Sequence, residues 1–445
     1  MLGFNSAISD CQATDVYTET SISRNSQTLL PQQVTVNRMA GNFVSHTQDT
    51  YHSSYYCNTK ALYNALTQSV ETDYDGHTTT TSYVCDSTRN NVPTSVVVQG
   101  FDGARVSTTY NNYVQCGNQY LPGGITETRH HPDHGSDYTE RATFEYNAKG
   151  LKTKEVSHAG TSKALTTVYQ YNTWNNLIET TTTGADIEQI KKQYVYDATC
   201  HYVARSTEQD YLVKTYTYDA WGHKLTETDL TRSLFPQTTT YEYDGWGNLS
   251  KVTSPTGVTT TYSRNWSSAP YCYTMIEKTQ GEPYIQTWFD QKGRECQKQT
   301  VGPKGLLVKE NTYYNYLDLP WRRINCHGEQ MVTETMTYDA RGRLLSETDD
   351  FGKDITYTYG ASSVTKNEHG RSYTTTYDSW GNVKMITDPV TSVTYKYHAC
   401  GKPKSATSAG ANITMTYDDC GNQTSLTDPD AGTMSYSYDA LGRLR

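Results

Sequence analysis

The sequence predicts an all-β protein: repeated antiparallel β-hairpins joined into one long curved sheet. Three observations carry this expectation. The stretch YEYDGWGNL at 241–249 returns in close variants: YTYDAWGHKL from Tyr216, MTYDARGRLL from Met336, TTYDSWGNV from Thr375 and YSYDALGRL from Tyr436. The chain holds 39 Tyr against 7 Phe and 7 Trp and is rich in Thr, a mix that suits half-buried strands. Hydrophobic residues make up only 35% of its 445 residues, below the roughly 45–50% of ordinary globular domains. A thick multilayer core is therefore not expected. Tyrosine can still pack such a chain, because each ring buries about 150–250 Å² while its hydroxyl stays wet or finds a partner.

The first element of each unit is a strand. Tyr241 and Tyr243 lie two apart, so on an extended backbone both rings leave one face while Glu242 leaves the other. The same spacing joins Tyr169 to Tyr171, Tyr194 to Tyr196, Tyr216 to Tyr218, Tyr357 to Tyr359, Tyr395 to Tyr397 and Tyr436 to Tyr438. Period two over a short Thr-rich run means strand. The second element is a turn: Asp244 can accept from the N–H two residues on, and Gly247 supplies a positive φ. A connection of this length builds a hairpin around a type I turn with a glycine bulge. The third element is the returning strand, opened by Leu249 and by its equivalents Leu225, Leu344, Val383 and Leu444. A second turn closes the unit, as at Asp388-Pro389, Asp428-Pro429, Ser254-Pro255 and Asp349-Asp350, because Pro fixes its own φ and pushes the residue before it into extended geometry. The Tyr before each turn recurs at Tyr146, Tyr171, Tyr196, Tyr218 and Tyr243 and then to Tyr438, in steps of roughly 20–25 residues, with Tyr262 roughly halving one wider gap. Such a period marks a repeat array whose hairpins need their neighbours to bury their faces.

The residues expected to build the repeat are Tyr146, Tyr171, Tyr196 with Asp197, Tyr218 with Asp219 and Gly222, and Tyr243 with Asp244 and Gly247. Later come Tyr338 with Asp339 and Gly342, Tyr377 with Asp378 and Gly381, Tyr417 with Asp418 and Gly421, and Tyr438 with Asp439 and Gly442. Their rings are expected to form Tyr ladders between adjoining hairpins. Residues 76–445 read as the array, ending within a repeat, and residues 1–75 as a degenerate Tyr-rich β region with room for a short helix in FVSHTQDTYHSSYYCNTKALYNALTQ.

Charge and motifs narrow the function. The formal net charge is -9 and no basic run is present, which argues against nucleic acid or anionic membrane as partner. No apolar run approaches the roughly 18–20 residues of a membrane span, and MLGFNSAISD lacks the basic and apolar regions of a secretory signal. The 10 Cys form neither a CxxC nor a cluster. Cys400 and Cys420 hold one place in successive hairpins, whose tips lie about 9.5 Å apart at two strand spacings, beyond the reach of a disulfide; free thiols are expected. Neither GxSxG, a Walker loop, HExxH nor a dinucleotide-binding glycine motif is present, so neither enzyme nor cofactor is expected.

The unit resembles the Tyr-Asp-x-x-Gly-Arg/Asn-Leu signature of the YD-repeat or Rhs-repeat family, on residues from about Tyr83 to Arg445. That family includes Rhs toxins and the B and C components of insecticidal Tc complexes, with related repeats in teneurins. The resemblance implies a β-strip that spirals into a hollow, secreted or cell-surface shell. Its partner would be a C-terminal toxin or effector cargo, or the remainder of a longer Rhs chain. The sequence shows neither the family's self-cleaving core segment nor a toxin domain, so those roles do not carry over. The chain is expected to be shell wall, as a fragment or a short member.

Other residues invite chemistry. His130, His131, Asp133 and His134 are ligand types for zinc or copper, but without a completing partner the run reads as a solvated loop. The repeated Asp suits a turn better than a glycosidase, which needs one carboxylate pair. Trp221, Trp246 and Trp380 precede the turn Gly and either stack on sugar rings, which makes glycans an alternative partner, or cover their own hairpin ends.

Overall fold

The computed structural model describes residues 16–445 apart from 25, 27–29, 41–42, 57–60, 74, 91, 233, 269 and 303–304. The opening MLGFNSAISD and Tyr74 lie outside the described residues. Among those described, 35 strands form one sheet. Neighbours in the chain pair antiparallel from Val16–Arg24 to Gly432–Ser435, as an all-β repeat array requires. One ribbon, Val114–Cys116 with Gln119–Leu121, stands off between the paired strands Arg105–Asn111 and Gly124–His130. Among the described residues of that stretch the short helix does not form: Ala61–Thr72 is a strand paired with Phe43–Tyr56, because continuing the ladder satisfies more backbone groups than an isolated helical turn would.

The hairpin of Gln237–Tyr243 and Leu249–Thr253 shows the local physics. Pairing runs Tyr241 to Val252 and Glu242 to Lys251, then shifts so that Tyr243 faces Leu249. That shift is a bulge, and it recurs one residue before Tyr146, Tyr171, Tyr196, Tyr218, Tyr338, Tyr377 and Tyr417. Gly247 (φ 79°) takes the left-handed conformation the bulge needs. In the wide gap Tyr262 lies within Thr259–Trp266, and Trp266 occupies the strand end where Tyr stands elsewhere.

Across the strip Tyr202 stacks on Tyr218 (4.9 Å), but elsewhere two other contacts take the place of the expected Tyr ladders. The Tyr at most strand ends donates its hydroxyl hydrogen to a carbonyl in the preceding hairpin, as in Tyr171 to Lys152 (2.7 Å), Tyr196 to Leu177 (3.1 Å), Tyr218 to Val203 (3.0 Å), Tyr243 to Lys224 (3.0 Å), Tyr338 to Pro320 (2.7 Å) and Tyr417 to Pro403 (2.8 Å). Phe cannot make this bond, which accounts for the excess of Tyr. The ring face meets the residue after the turn Gly of the preceding hairpin. Tyr243 stacks on His223 (4.7 Å), Arg343 lies over Tyr359 (4.2 Å) and Arg294 over Tyr314 (4.4 Å). Threonine pairs such as Thr228 with Thr238 (2.9 Å) and Thr365 with Thr374 (2.9 Å) tie opposing strands.

Among the described residues few side chains are buried. The apolar ones are Ala104, Ile324, Met336, Ile355, Tyr397, Ala399 and Ala440. The sheet is a single layer whose turns alternate between two rims. One rim carries the Asp-x-x-Gly turns and is called the Asp rim; the other carries the closing turns.

Candidate functional site

Each Asp turn is held by its own carboxylate. Asp244 Oδ1 accepts from Trp246 N (2.9 Å) and Asn248 N (2.9 Å), and its other oxygen from Asn248 Nδ2 (3.1 Å). Asp219, Asp339, Asp378, Asp418 and Asp439 accept the same two backbone bonds. Asp197 instead takes His201 and Tyr202. The backbone and side-chain bonds from Asn248 hold the Asp244 carboxyl below the usual range. At Asp339 burial opposes this, but bonds from Arg343 prevail and its carboxyl is also held low. A general acid needs its pKa raised towards neutrality; the Asp244 and Asp339 carboxylates are shifted the other way.

Gly222, Gly247, Gly342, Gly381, Gly421 and Gly442 share one position in these turns, all with positive φ. Tyr146 and Tyr377 end their strands as their counterparts do. Tyr438 pairs with Leu444 in an isolated bridge.

The resemblance implied that the strip spirals, but sequence reading did not foresee which turns meet when it closes on itself. Turns of the Asp rim in the last third meet closing turns between residues 73 and 163, across separations of 247 to 285 residues. In order along this seam, Arg341 Nη1 pairs with Asp75 (3.0 Å) and Ser362 Oγ lies 3.0 Å from His77 Nε2. Ser379 N donates to Asp102 (3.0 Å), Trp380 packs edge-on to His131 (5.1 Å) and His398 lies 4.5 Å from His134 between ring centres. Thr161 Oγ1 meets Cys420 Sγ (3.8 Å), and Lys163 donates to the Tyr438 carbonyl. In most of these turns the contact is made by the residue one or two places after the Asp. Those positions vary from repeat to repeat, so no periodic signal marks them.

His131 corrects the reading of RHHPDHG as a solvated loop. Its side chain is 2% exposed, and Nε2 lies 3.0 Å from Asp378 Oδ2. Nδ1 accepts from Asp133 N (3.2 Å), so that nitrogen carries a lone pair and the proton sits on Nε2, directed at Asp378. His130 and His134 turn away, to Asp137 (2.8 Å) and to the Ser136 carbonyl (2.7 Å). Among the described residues no group of three or more His, Cys, Asp and Glu is placed to hold a metal.

Cys400 and Cys420 are free thiols, and burial pushes the Cys420 thiol up, away from a nucleophile's range. Beside both, burial and then Glu140 push Tyr138 up to about 12.

The three Trp residues separate. Trp221 and Trp246 are 85% and 93% exposed and line a cleft with Asp219, His223, Leu225 and Tyr243. Trp380 lies in the seam. Trp174, at the same position of the Asn172 turn and 71% exposed, joins the exposed pair; NTWNNL was its signal, with Asn in place of Asp.

A single-layer strip of bulged hairpins, coiled until its two rims meet, is the wall of a β-shell. Residues 320–445 match the Teneurin YD-shell family, and the recurring unit is the YD repeat of the YD/Rhs-repeat family. The fold is similar to the mutant Tc holotoxin pore of Photorhabdus luminescens (TM-score 0.51, 12% identity, 96% of this chain and 27% of that one). It is also similar to the crystal structure of TcdB2-TccC3-Cdc42 (TM-score 0.53, 12% identity, 95% and 27%). Over 213 residues the chain is 24% identical to the tRNA3(Ser)-specific nuclease WapA of Bacillus spizizenii, covering 44% of this chain and 9% of that protein. The chain thus spans a small part of each relative. Among the described residues no helix is long and apolar enough to cross a membrane.

Proposed function

We propose that this chain is a non-enzymatic wall segment, residues 76–445 forming the repeat array and residues 1–75 its degenerate start. It encloses a polypeptide cargo, a toxin or effector following in the same or a partner chain, in a secreted or cell-surface assembly. The observation that carries this reading is the seam. A strip that returns on itself after one circuit and is hydrogen-bonded rim to rim encloses space, and a closed wall leaves few strand edges open to unwanted pairing. Resemblance of fold to Tc structures supports it. The test joins a reporter polypeptide after Arg445 and measures its resistance to protease. Protection that is lost when the seam is opened by Asp102→Ala with Arg341→Ala supports containment; equal cleavage in both rejects it.

A second reading, adhesion through glycan stacking, is favoured by the exposure of Trp221 and Trp246 on one cleft. Glycan-array binding abolished by Trp246→Ala with unchanged melting selects it.

A further inference from the structure

The two halves of the seam are built from different chemistry. Four of the 12 histidines, His77, His131, His134 and His398, lie in its contacts, and they divide by what faces them. In the leading half, from Arg341 to Asp378, each histidine has a carboxylate beside it. His77 Nδ1 lies 3.3 Å from Asp73 Oδ2 while Nε2 faces Ser362 Oγ, and its ring stacks on Phe101 (4.0 Å). His131 points Nε2 at Asp378, and a second proton would go to Nδ1. That nitrogen lies 3.8 Å from Asp133 Oδ2, a buried oxygen with no hydrogen-bond partner among the described residues. Protonation in this half therefore sets cations against carboxylates, which attract them. The other ties here are the ion pair of Arg341 with Asp75 and the bond from Ser379 N to Asp102. Burial opposes the Asp102 charge, but bonds from Ser379 and Ala104 hold its carboxyl below the usual range, so it stays ionised in mild acid.

The trailing half begins at His398 and is built otherwise. His398 Nε2 donates to the Met415 carbonyl (3.2 Å), which leaves Nδ1 to take a further proton. Across the seam its ring meets the ring of His134 at 4.5 Å. Asp133 and Asp137, in the same loop as His134, are turned to His131 (3.8 Å) and His130 (2.8 Å). From the next hairpin Tyr417 packs edge-on at 5.0 Å, and its own hairpin supplies Cys400, Lys402 and Lys404. Burial is the largest influence on His398, and the charges of His134 and Lys404 both oppose a proton there. Beyond it the ties are soft: Thr161 with Cys420 (3.8 Å), Lys163 with the Tyr438 carbonyl, and Ala440 N to the Ala185 carbonyl (3.4 Å). The pair of Arg445 with Asp186 (3.6 Å) is exposed, and such surface pairs are weak.

We infer that the seam is a proton-operated latch with one fixed end: mild acid parts it from His398 to Ala440, while the contacts from Arg341 to Asp378 hold and act as the hinge. Once the trailing half opens, His398 returns to water and takes a proton more readily than when closed. Opening is therefore favoured as pH falls through about 6.5, and charging both His134 and His398 adds repulsion between the facing rings. The wall gains a slit between its first and last coils without unwinding. This deepens the wall reading and rests on the seam that closes it, but it needs no cargo.

The test is hydrogen exchange of the full chain by mass spectrometry at about pH 8 and about pH 5, corrected for the intrinsic rate. Ala440 N, bonded to Ala185, reports on the trailing half, and Ser379 N, bonded to Asp102, on the leading half. Peptides carrying Cys420 and Ala440 should exchange severalfold faster at the lower pH, with the Ser379 peptide unchanged. His398→Gln keeps an N–H donor for the Met415 carbonyl and does not titrate, so it should abolish most of the difference. His134→Gln, on the other side of the seam, should do the same and replaces it if the first variant fails to fold. Equal acceleration in both halves overturns the inference, as does acceleration confined to the Ser379 peptide, no change with pH, or an undiminished response in a folded Gln variant. Protease resistance of the reporter at the higher pH reads containment separately, so either reading can fail alone.

Discussion

His131 and Asp378, 247 positions apart in the chain, meet at 3.0 Å with side chains only 2% and 1% exposed. The Asp378 carboxylate thus accepts from His131, from two backbone N–H groups and from Asn382 Nδ2 (2.9 Å), so all its lone pairs are engaged. Replacing His131 by Ala leaves a buried oxygen short of a donor, which costs about 1–3 kcal/mol. Urea unfolding measures the loss, and hydrogen exchange should show it concentrated at residues 100–134 and 378–400; loss spread evenly over the strip would contradict a seam contact.

The hydroxyl bond of the strand-end Tyr is tested by Tyr243→Phe. The ring and its stacking on His223 remain while the bond to the Lys224 carbonyl disappears, leaving that half-buried acceptor to water. A loss of about 0.5–1.5 kcal/mol in the urea midpoint is expected.

The turn carboxylate acts as a hydrogen-bond acceptor before it acts as a charge. Asn147, Asn172 and Asn315 hold its place elsewhere and accept the same backbone bonds. Asp244→Asn should therefore melt within a degree or two of the parent, whereas Asp244→Ala strands two backbone donors. Calorimetry distinguishes the two.

Acid should loosen the seam at His398. Burial, with the charges of His134 and Lys404, holds its imidazole below the ordinary range, although the Met415 carbonyl works the other way; Tyr417 packs on the same ring. The folded pKa lies below the unfolded one, so the unfolded chain binds more protons in between. The contribution of His398 is then complete above about pH 6.5 and falls as pH drops through that value. The difference in melting temperature between the parent and His398→Asn, followed from pH 8 to pH 5, should shrink as the pH falls; a constant difference would rule this out.

Two turn glycines predict unequal costs. Both Gly222 and Gly381 have positive φ (90° and 78°), but a Cβ at Gly381 meets nothing within 4 Å, whereas at Gly222 it runs into the Tyr202 ring. Gly381→Ala should cost about 1–2 kcal/mol from backbone strain alone. Gly222→Ala should exceed it, as read by urea denaturation.

Strands and turns were legible in the sequence because both obey short periods: Tyr two apart, Asp and Gly three apart. Ala61–Thr72 misled because its Ala and Leu residues favour a helix locally while the adjoining strand offers a ladder. The seam was illegible for another reason. Its contacts fall where Arg341, Trp380 and Cys420 share no chemistry, and each answers a residue about one circuit away. His131 gave no local sign of burial because Asp378, which lies against it, belongs to a distant turn.

The long separation across the seam also orders events in time. During synthesis each hairpin can pair with the one before it as it leaves the ribosome, but Asp102 must wait until Ser379, 277 positions later, has emerged. Closure of this latch therefore comes after the hairpins between its two ends have paired, and under the containment proposal an enclosed polypeptide would have to be in place, or threaded in, relative to that moment.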